Sequence, residues 1–143
     1  MATVVVSYVP GTAYQTRVEG VGFSLAADEP VTEGGTGLGP SPYELLLAAL
    51  GHCSILTIVL YGRRKGWAVR DVTIRSTHER VITEAEDERS RRKVERIVQE
   101  IRIEGDLDEG QLARLLDIAG KCPVHRTLTG DIEIADVAVQ QFD

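Results

Sequence analysis

Two thiols are the residues of this chain best suited to chemistry. Cys53 and Cys122 are its only cysteines. A cysteine inside an apolar helix is by default a small hydrophobe, and burial raises its pKa and leaves it inert. Cys53 fits that description, flanked by His52 on one side and Ser54-Ile55-Leu56 on the other. Cys122 differs. It follows Lys121 and precedes Pro123, at a break between two helical stretches and close to a new helix N-terminus. That setting favours a thiolate or a mixed-disulfide partner. One sheltered sulfur and one at a mobile junction suit a nucleophile and a resolving thiol, although structural or merely oxidisable cysteines satisfy the same pattern. A metal site drawn from Cys53, Cys122, His52 and His125 has neither CxxC nor HxxxH spacing to support it. The glycine-rich loop DEPVTEGGTGLG at 28–39 contains no GxGxxG or GxxxxGK, so phosphate binding is not indicated.

The element that must position Cys53 is the stretch Gly39 to Trp67. Ser41 is placed to cap a helix, Pro42 to occupy its first position and Glu44 to sit in its first turn. From Leu45 to Leu60 the apolar residues run almost all the way round, which predicts a buried helix. Cations at Arg63-Arg64-Lys65 and then Gly66 suit its end. The length approaches that of a membrane span, but Glu44, His52 and several hydroxyls favour the core helix of a soluble domain.

Around this spine, residues 3–9, 14–18 and 21–26 read as three short strands of an antiparallel meander, with Arg17 in the middle one. By default such an arginine faces solvent. Residues 69–82 alternate as a half-buried strand with His78 near its end, a position more typical of a packing residue than of a ligand. The charge run 83–93 reads as a solvated hairpin loop, and 94–104 as the returning strand. Asp108 with Gln111 predicts a capping box, followed by a helix with Leu112, Leu115, Leu116 and Ala119 on one face and Gly120 at its end. Pro123 opens a further short helix through 124–127, and residues 131–135 (DIEIA) read as a last strand. The sum is an α+β chain in one domain, 1–143.

Composition narrows the partners. A formal net charge of −6 does not favour nucleic acid or an anionic membrane surface. The first residues, MATVVVSYVPG, carry no basic region of a signal peptide, and a cytoplasmic location is expected. Two widely separated cysteines in such a chain are more often redox-active or metal-binding than a disulfide scaffold.

GPSPYELLLAALGHC, RKGW and KCPVHRTLTGDIEI resemble the OsmC/Ohr family of thiol-dependent hydroperoxide reductases, most nearly its OsmC-like branch. With the loop at Asp28-Glu29-Pro30, the likeness spans most of the chain. The resemblance implies an OsmC-like fold: antiparallel sheets wrapped around two long central helices of an intertwined homodimer, with active sites at the subunit interface. It implies that Cys53 attacks an organic hydroperoxide and becomes a sulfenic acid, that Cys122 condenses with it to a disulfide, and that an external dithiol reduces the pair. No cofactor or metal is implied. A buried thiolate needs a nearby cation. The family supplies an arginine from its N-terminal sheet, braced by a glutamate at the start of the long helix. Arg17, the only arginine before that helix, and Glu44 are the matching residues. The organic-hydroperoxide-resistance members carry the glutamate directly after the proline, where this chain has Tyr43; Glu44 is therefore about 100° further round the helix. His52 stands where the family usually has a small residue and is expected to pack against the partner subunit or bond locally. His125 and Arg126 are expected to brace the Cys122 segment. The alternative is a non-enzymatic dimeric module that binds an apolar small molecule.

Overall fold

A computed structural model describes residues 1–83 and 88–142. The chain divides into two compact units interleaved in sequence, Met1–Gly51 with Arg75–Glu100 and His52–Ile74 with Ile101–Asp143. The division falls within the long helix α1 (Pro42–Lys65) and within strands β4 (Ala68–Ile82) and β5 (Lys93–Asp106), which form a two-stranded sheet.

The first unit opens with the expected antiparallel meander, β1 (Val5–Tyr8), β2 (Thr16–Gly20) and β3 (Phe23–Ala27) in the order β1-β2-β3. Val18 pairs with Val6 on one side and Leu25 on the other, the β-branched and aliphatic matching that a half-buried sheet favours. Gly22 sits at φ 81° in the tight turn between β2 and β3, a conformation that L side chains rarely adopt.

From Asp28 the chain loops toward α1, and the Asp28 carboxylate organises that loop. It is buried and accepts from the Glu29 N–H at 2.7 Å, the Thr36 hydroxyl at 2.6 Å, the Thr36 N–H at 3.1 Å and the Leu38 N–H at 3.3 Å. The returning strand of the loop passes so close to β3 that a Cβ at Gly39 would collide with the Ala26 carbonyl.

α1 starts where the sequence predicts. The Ser41 N–H donates to the Glu44 carboxylate at 2.7 Å and the Glu44 N–H to Ser41 Oγ at 3.4 Å, a reciprocal capping box with Pro42 at the first helical position. Its end lies beyond the apolar run, at Lys65. Gly66 takes φ 68°, and the Trp67 and Gly66 N–H groups reach back to the carbonyls of Gly62 (2.9 Å) and Arg63 (3.1 Å), a Schellman closure. Burial of the helix is narrower than expected. Leu50, Ser54 and Ile58 form a buried stripe at i, i+4, i+8, while Leu56 and Leu60 stay exposed.

Also in the first unit, the Tyr43 ring stacks on His78 with centroids 4.1 Å apart and planes 11° from parallel. His78 and Arg80 both engage the Glu95 carboxylate, Arg80 at 2.6 Å. The hairpin loop expected over 83–93 falls partly on residues 84–87, outside the described residues. At its base the Thr83 N–H donates to the Arg92 carbonyl at 2.9 Å.

The second unit holds the core of Ile58, Leu115 and Ala119, packed against Tyr61, Trp67, Val69, Val72, Ile101, Ile103 and Leu107. α2 (Glu109–Ala119) begins in the expected capping box. The Gln111 N–H donates to Asp108 at 2.7 Å, and the Asp108 N–H donates to the Gln111 side chain at 3.0 Å. α3 (Pro123–Thr129) follows at once. The strand expected over 131–135 does not form. Ile132 and Ile134 are 52% and 80% exposed, and no described strand offers them a ladder. Alternating apolar residues make a strand only once another strand pairs with them.

Four hydrogen bonds, that of the Thr36 hydroxyl foremost, hold the Asp28 carboxyl below its ordinary value. A depressed pKa contributes stability that is present above the unfolded-state value and lost as pH falls through the folded one. We therefore expect the urea midpoint to drop below about pH 4, and Asp28→Asn to flatten that part of the profile while lowering stability at pH 7. Parallel profiles for variant and parent would remove Asp28 from this role.

Candidate active site

Cys53 is the second residue of the second unit's share of α1, and the corner between α2 and α3 delivers Cys122. The Lys121 N–H closes α2 on the Ile118 carbonyl at 2.9 Å. Cys122 then turns extended (φ −68°, ψ 149°) and caps α3, with Pro123 at the first position. Because the first N–H groups of a helix have no partner within it, those of Val124 and His125 are free to point at other acceptors. Both find sulfur. The His125 N–H donates to Cys122 Sγ at 3.2 Å, and the Val124 N–H donates to the Cys53 thiol.

Both thiols are free, and Cys122 lies near enough to Cys53 to influence its ionisation. Cys122 is fully buried and Cys53 half-buried. Ser54, also fully buried, donates its hydroxyl to Cys122 Sγ at 3.6 Å. Ser54 is a residue that the sequence reading passed over. The available signal was a hydroxyl set in an apolar helix immediately after a cysteine, since a buried hydroxyl requires a partner.

The electrostatics of this pair are uneven. Burial pushes the Cys53 thiol up, and the neighbouring Cys122 adds to that, while the Val124 N–H only partly opposes them. At neutral pH the unit by itself keeps Cys53 protonated.

Arg17 is in the middle strand β2, on the exposed side of its alternation. Thr16 and Val18, on the opposite face, line an apolar cavity of about 760 Å³ with Leu25, Pro42, Leu45 and Ala49. Glu44 is exposed, and the Ser41 N–H that it accepts holds its carboxyl below the ordinary glutamate value. No ion pair joins Arg17 to Glu44 among the described residues. His52 is exposed. His125 is half-buried and touches the site through its backbone. Among the described residues, no group of three or more His, Cys, Asp or Glu side chains is arranged to hold a metal ion.

A long capped helix bearing one thiol, with a helical corner that brings a second against it, defines an α+β dithiol protein. The family model described as OsmC-like protein matches residues 35–135, and the chain belongs to that family. Its fold is that of solved relatives. It is similar to an OsmC-like protein from Mycoplasma pneumoniae (TM-score 0.72, 20% identity, covering 91% of this chain and 88% of that one). It is similar to an organic hydroperoxide resistance protein OsmC from Legionella pneumophila (TM-score 0.64, 19% identity, 90% of each chain). It is also similar to the organic hydroperoxide resistance protein OhrB of Bacillus subtilis (TM-score 0.62, 16% identity, 92% of each chain). No curated protein sequence matches the chain.

Cys122→Ala removes one of the influences that oppose ionisation of Cys53 and opens its surroundings to water. The midpoint of Cys53 alkylation by iodoacetamide against pH should move down. An unmoved midpoint would show that the sulfur–sulfur contact does not govern the ionisation of Cys53.

Proposed function

We propose that the chain is a cysteine-based peroxidase that reduces organic hydroperoxides to alcohols. The observation that carries this reading is the meeting of Cys53 and Cys122, two residues distant in sequence, as free thiols in contact. The Cys53 thiolate attacks the outer oxygen of the hydroperoxide, the O–O bond breaks, and the alcohol leaves with a proton. The resulting sulfenic acid condenses with Cys122, releasing water and forming a disulfide. An external dithiol returns both sulfurs to thiols. Membership of the family and the names of two structural relatives support hydroperoxides as the substrate class.

The reading requires a cation, because the described surroundings of Cys53 hold it neutral. Arg17 is the proposed source, and Glu44, whose carboxylate Ser41 already engages, the proposed brace. A homodimer is proposed as the working state. Leu56 and Leu60, exposed one turn apart on α1, support it, since apolar residues left open side by side on a helix suit a contact with a second chain. The cytoplasm is the proposed compartment, where dithiol reductants keep such cysteines cycling. Neither nucleic acid nor membrane is a proposed partner.

One observation favours a second reading. The cavity of about 760 Å³ on the inner face of the first unit's sheet is lined almost wholly by apolar side chains. A dimeric module binding an apolar small molecule there, without catalysis, would use that space.

Cumene hydroperoxide with dithiothreitol separates the two. Wild-type protein should turn over, and Cys53→Ser should fall to background. With no reductant present, Cys122→Ser should consume about one equivalent and then stall at the sulfenic acid. Arg17→Ala should shift Cys53 alkylation to higher pH. A Cys53 thiol that survives excess hydroperoxide unchanged would leave the binding module.

A further inference from the structure

We propose that Ser54 is a positioning residue for the reductive half of the cycle: its hydroxyl, with the His125 N–H, makes Cys122 the departing sulfur when a dithiol opens the Cys53–Cys122 disulfide, and so directs the reductant to Cys53. This rests on the disulfide-forming reading above.

The two sulfurs are not equivalent. Cys122 Sγ receives the Ser54 hydroxyl at 3.6 Å and the His125 N–H at 3.2 Å. Cys53 draws the Val124 N–H. Hydrogen bonds to an ionised acceptor are about twice as strong as those to a neutral one. The two donors therefore gain most when Cys122 carries the charge of a thiolate. In thiol–disulfide exchange the better-stabilised thiolate leaves faster. Access points the same way. Cys122 and Ser54 are fully buried, whereas Cys53 is half-buried. Within one chain Cys53 carries less cover than Cys122 against an incoming thiolate.

One thiolate of the dithiol forms a bond to Cys53 Sγ. The Cys53–Cys122 bond breaks, and its electron pair leaves on Cys122 Sγ as a thiolate held by Ser54 and His125. The second thiol of the reductant, after losing its proton, then attacks the mixed disulfide and expels the Cys53 thiolate. The reductant departs as a cyclic disulfide. Two electrons have passed from dithiol to protein, and the protons released by the dithiol can return both cysteines to thiols.

The test begins from protein oxidised with diamide, which installs the disulfide without hydroperoxide. The leaving-group assignment and the peroxidase reading therefore fail separately. A short pulse of 2-mercaptoethanol, acid quench and maleimide labelling should give the adduct on Cys53 and the label on Cys122 of the wild-type chain. An adduct on Cys122 overturns the proposal, whatever happens to any variant. Ser54→Ala should slow reduction by dithiothreitol roughly tenfold, the scale expected for losing a hydrogen bond to a charged group. Ser54→Thr, which retains the hydroxyl, should recover most of that rate. Reduction of Ser54→Ala at the wild-type rate, or of Ser54→Thr as slowly as Ser54→Ala, also overturns it.

Discussion

The chemistry of this molecule turns on two unspent N–H groups at the start of a seven-residue helix. A helix N-terminus ordinarily hands such groups to the oxygen of a serine, threonine, aspartate or asparagine. In α3 they go to sulfur. Cys122 acts as the cap and takes the His125 N–H, and the Val124 N–H goes to the thiol of another element. Pro123 makes this economical, since it fixes the entry angle of the helix and has no N–H of its own to satisfy. The same turn therefore holds α3 in place and holds the two sulfurs against each other. Any change in the redox state of Cys122 is also a change in the cap of α3.

The long helix is built to tolerate such a site. Its ends are closed independently of the site, by the Ser41–Glu44 capping box at one and by Gly66 and Trp67 folding back at the other. With both ends secured, the interior can carry a buried hydroxyl and a thiol on adjacent positions, one of them in the Leu50–Ser54–Ile58 stripe. Ser54 is the polar member of that stripe, and Cys122 Sγ is among its partners. A polar group inside an apolar stripe is costly when unpaired and specific when paired.

Much of this was legible because it is written in local chemistry. Caps at Ser41 and Asp108, Pro123 at the first position of α3, the glycine after Lys65 and the alternation in β4 and β5 each act within a few residues, so the sequence alone predicts those elements. The pairing of sheet strands followed from β-branched runs punctuated by Pro10-Gly11 and Gly20. The strand expected over 131–135 fails for the complementary reason: its pattern is right, but a strand is a relation between two segments, and no described segment pairs with it. The site divides along the same line. Cys53 and Cys122 stood out by type and surroundings. Ser54 did not, because its significance is set by Cys122, distant in the chain. Glu44 was legible as a first-turn acid and as a candidate brace. Nothing local decides whether its carboxylate serves the helix cap, the arginine or both.

The ionisation of Cys53 sets the limit on what one chain can do. Burial and the Cys122 thiol both oppose a charge on it, and one backbone N–H is too little to reverse them. A thiol in that state is slow toward oxidants, because the thiolate is the nucleophile. The same chain leaves Leu56 and Leu60 uncovered and Arg17 exposed on its strand. Under the proposed homodimer these are two halves of one requirement, since covering the helix further desolvates Cys53 and makes a guanidinium there the condition for any charge at all. Burial alone would push the thiol still higher, so assembly can activate it only by bringing the cation in the same step.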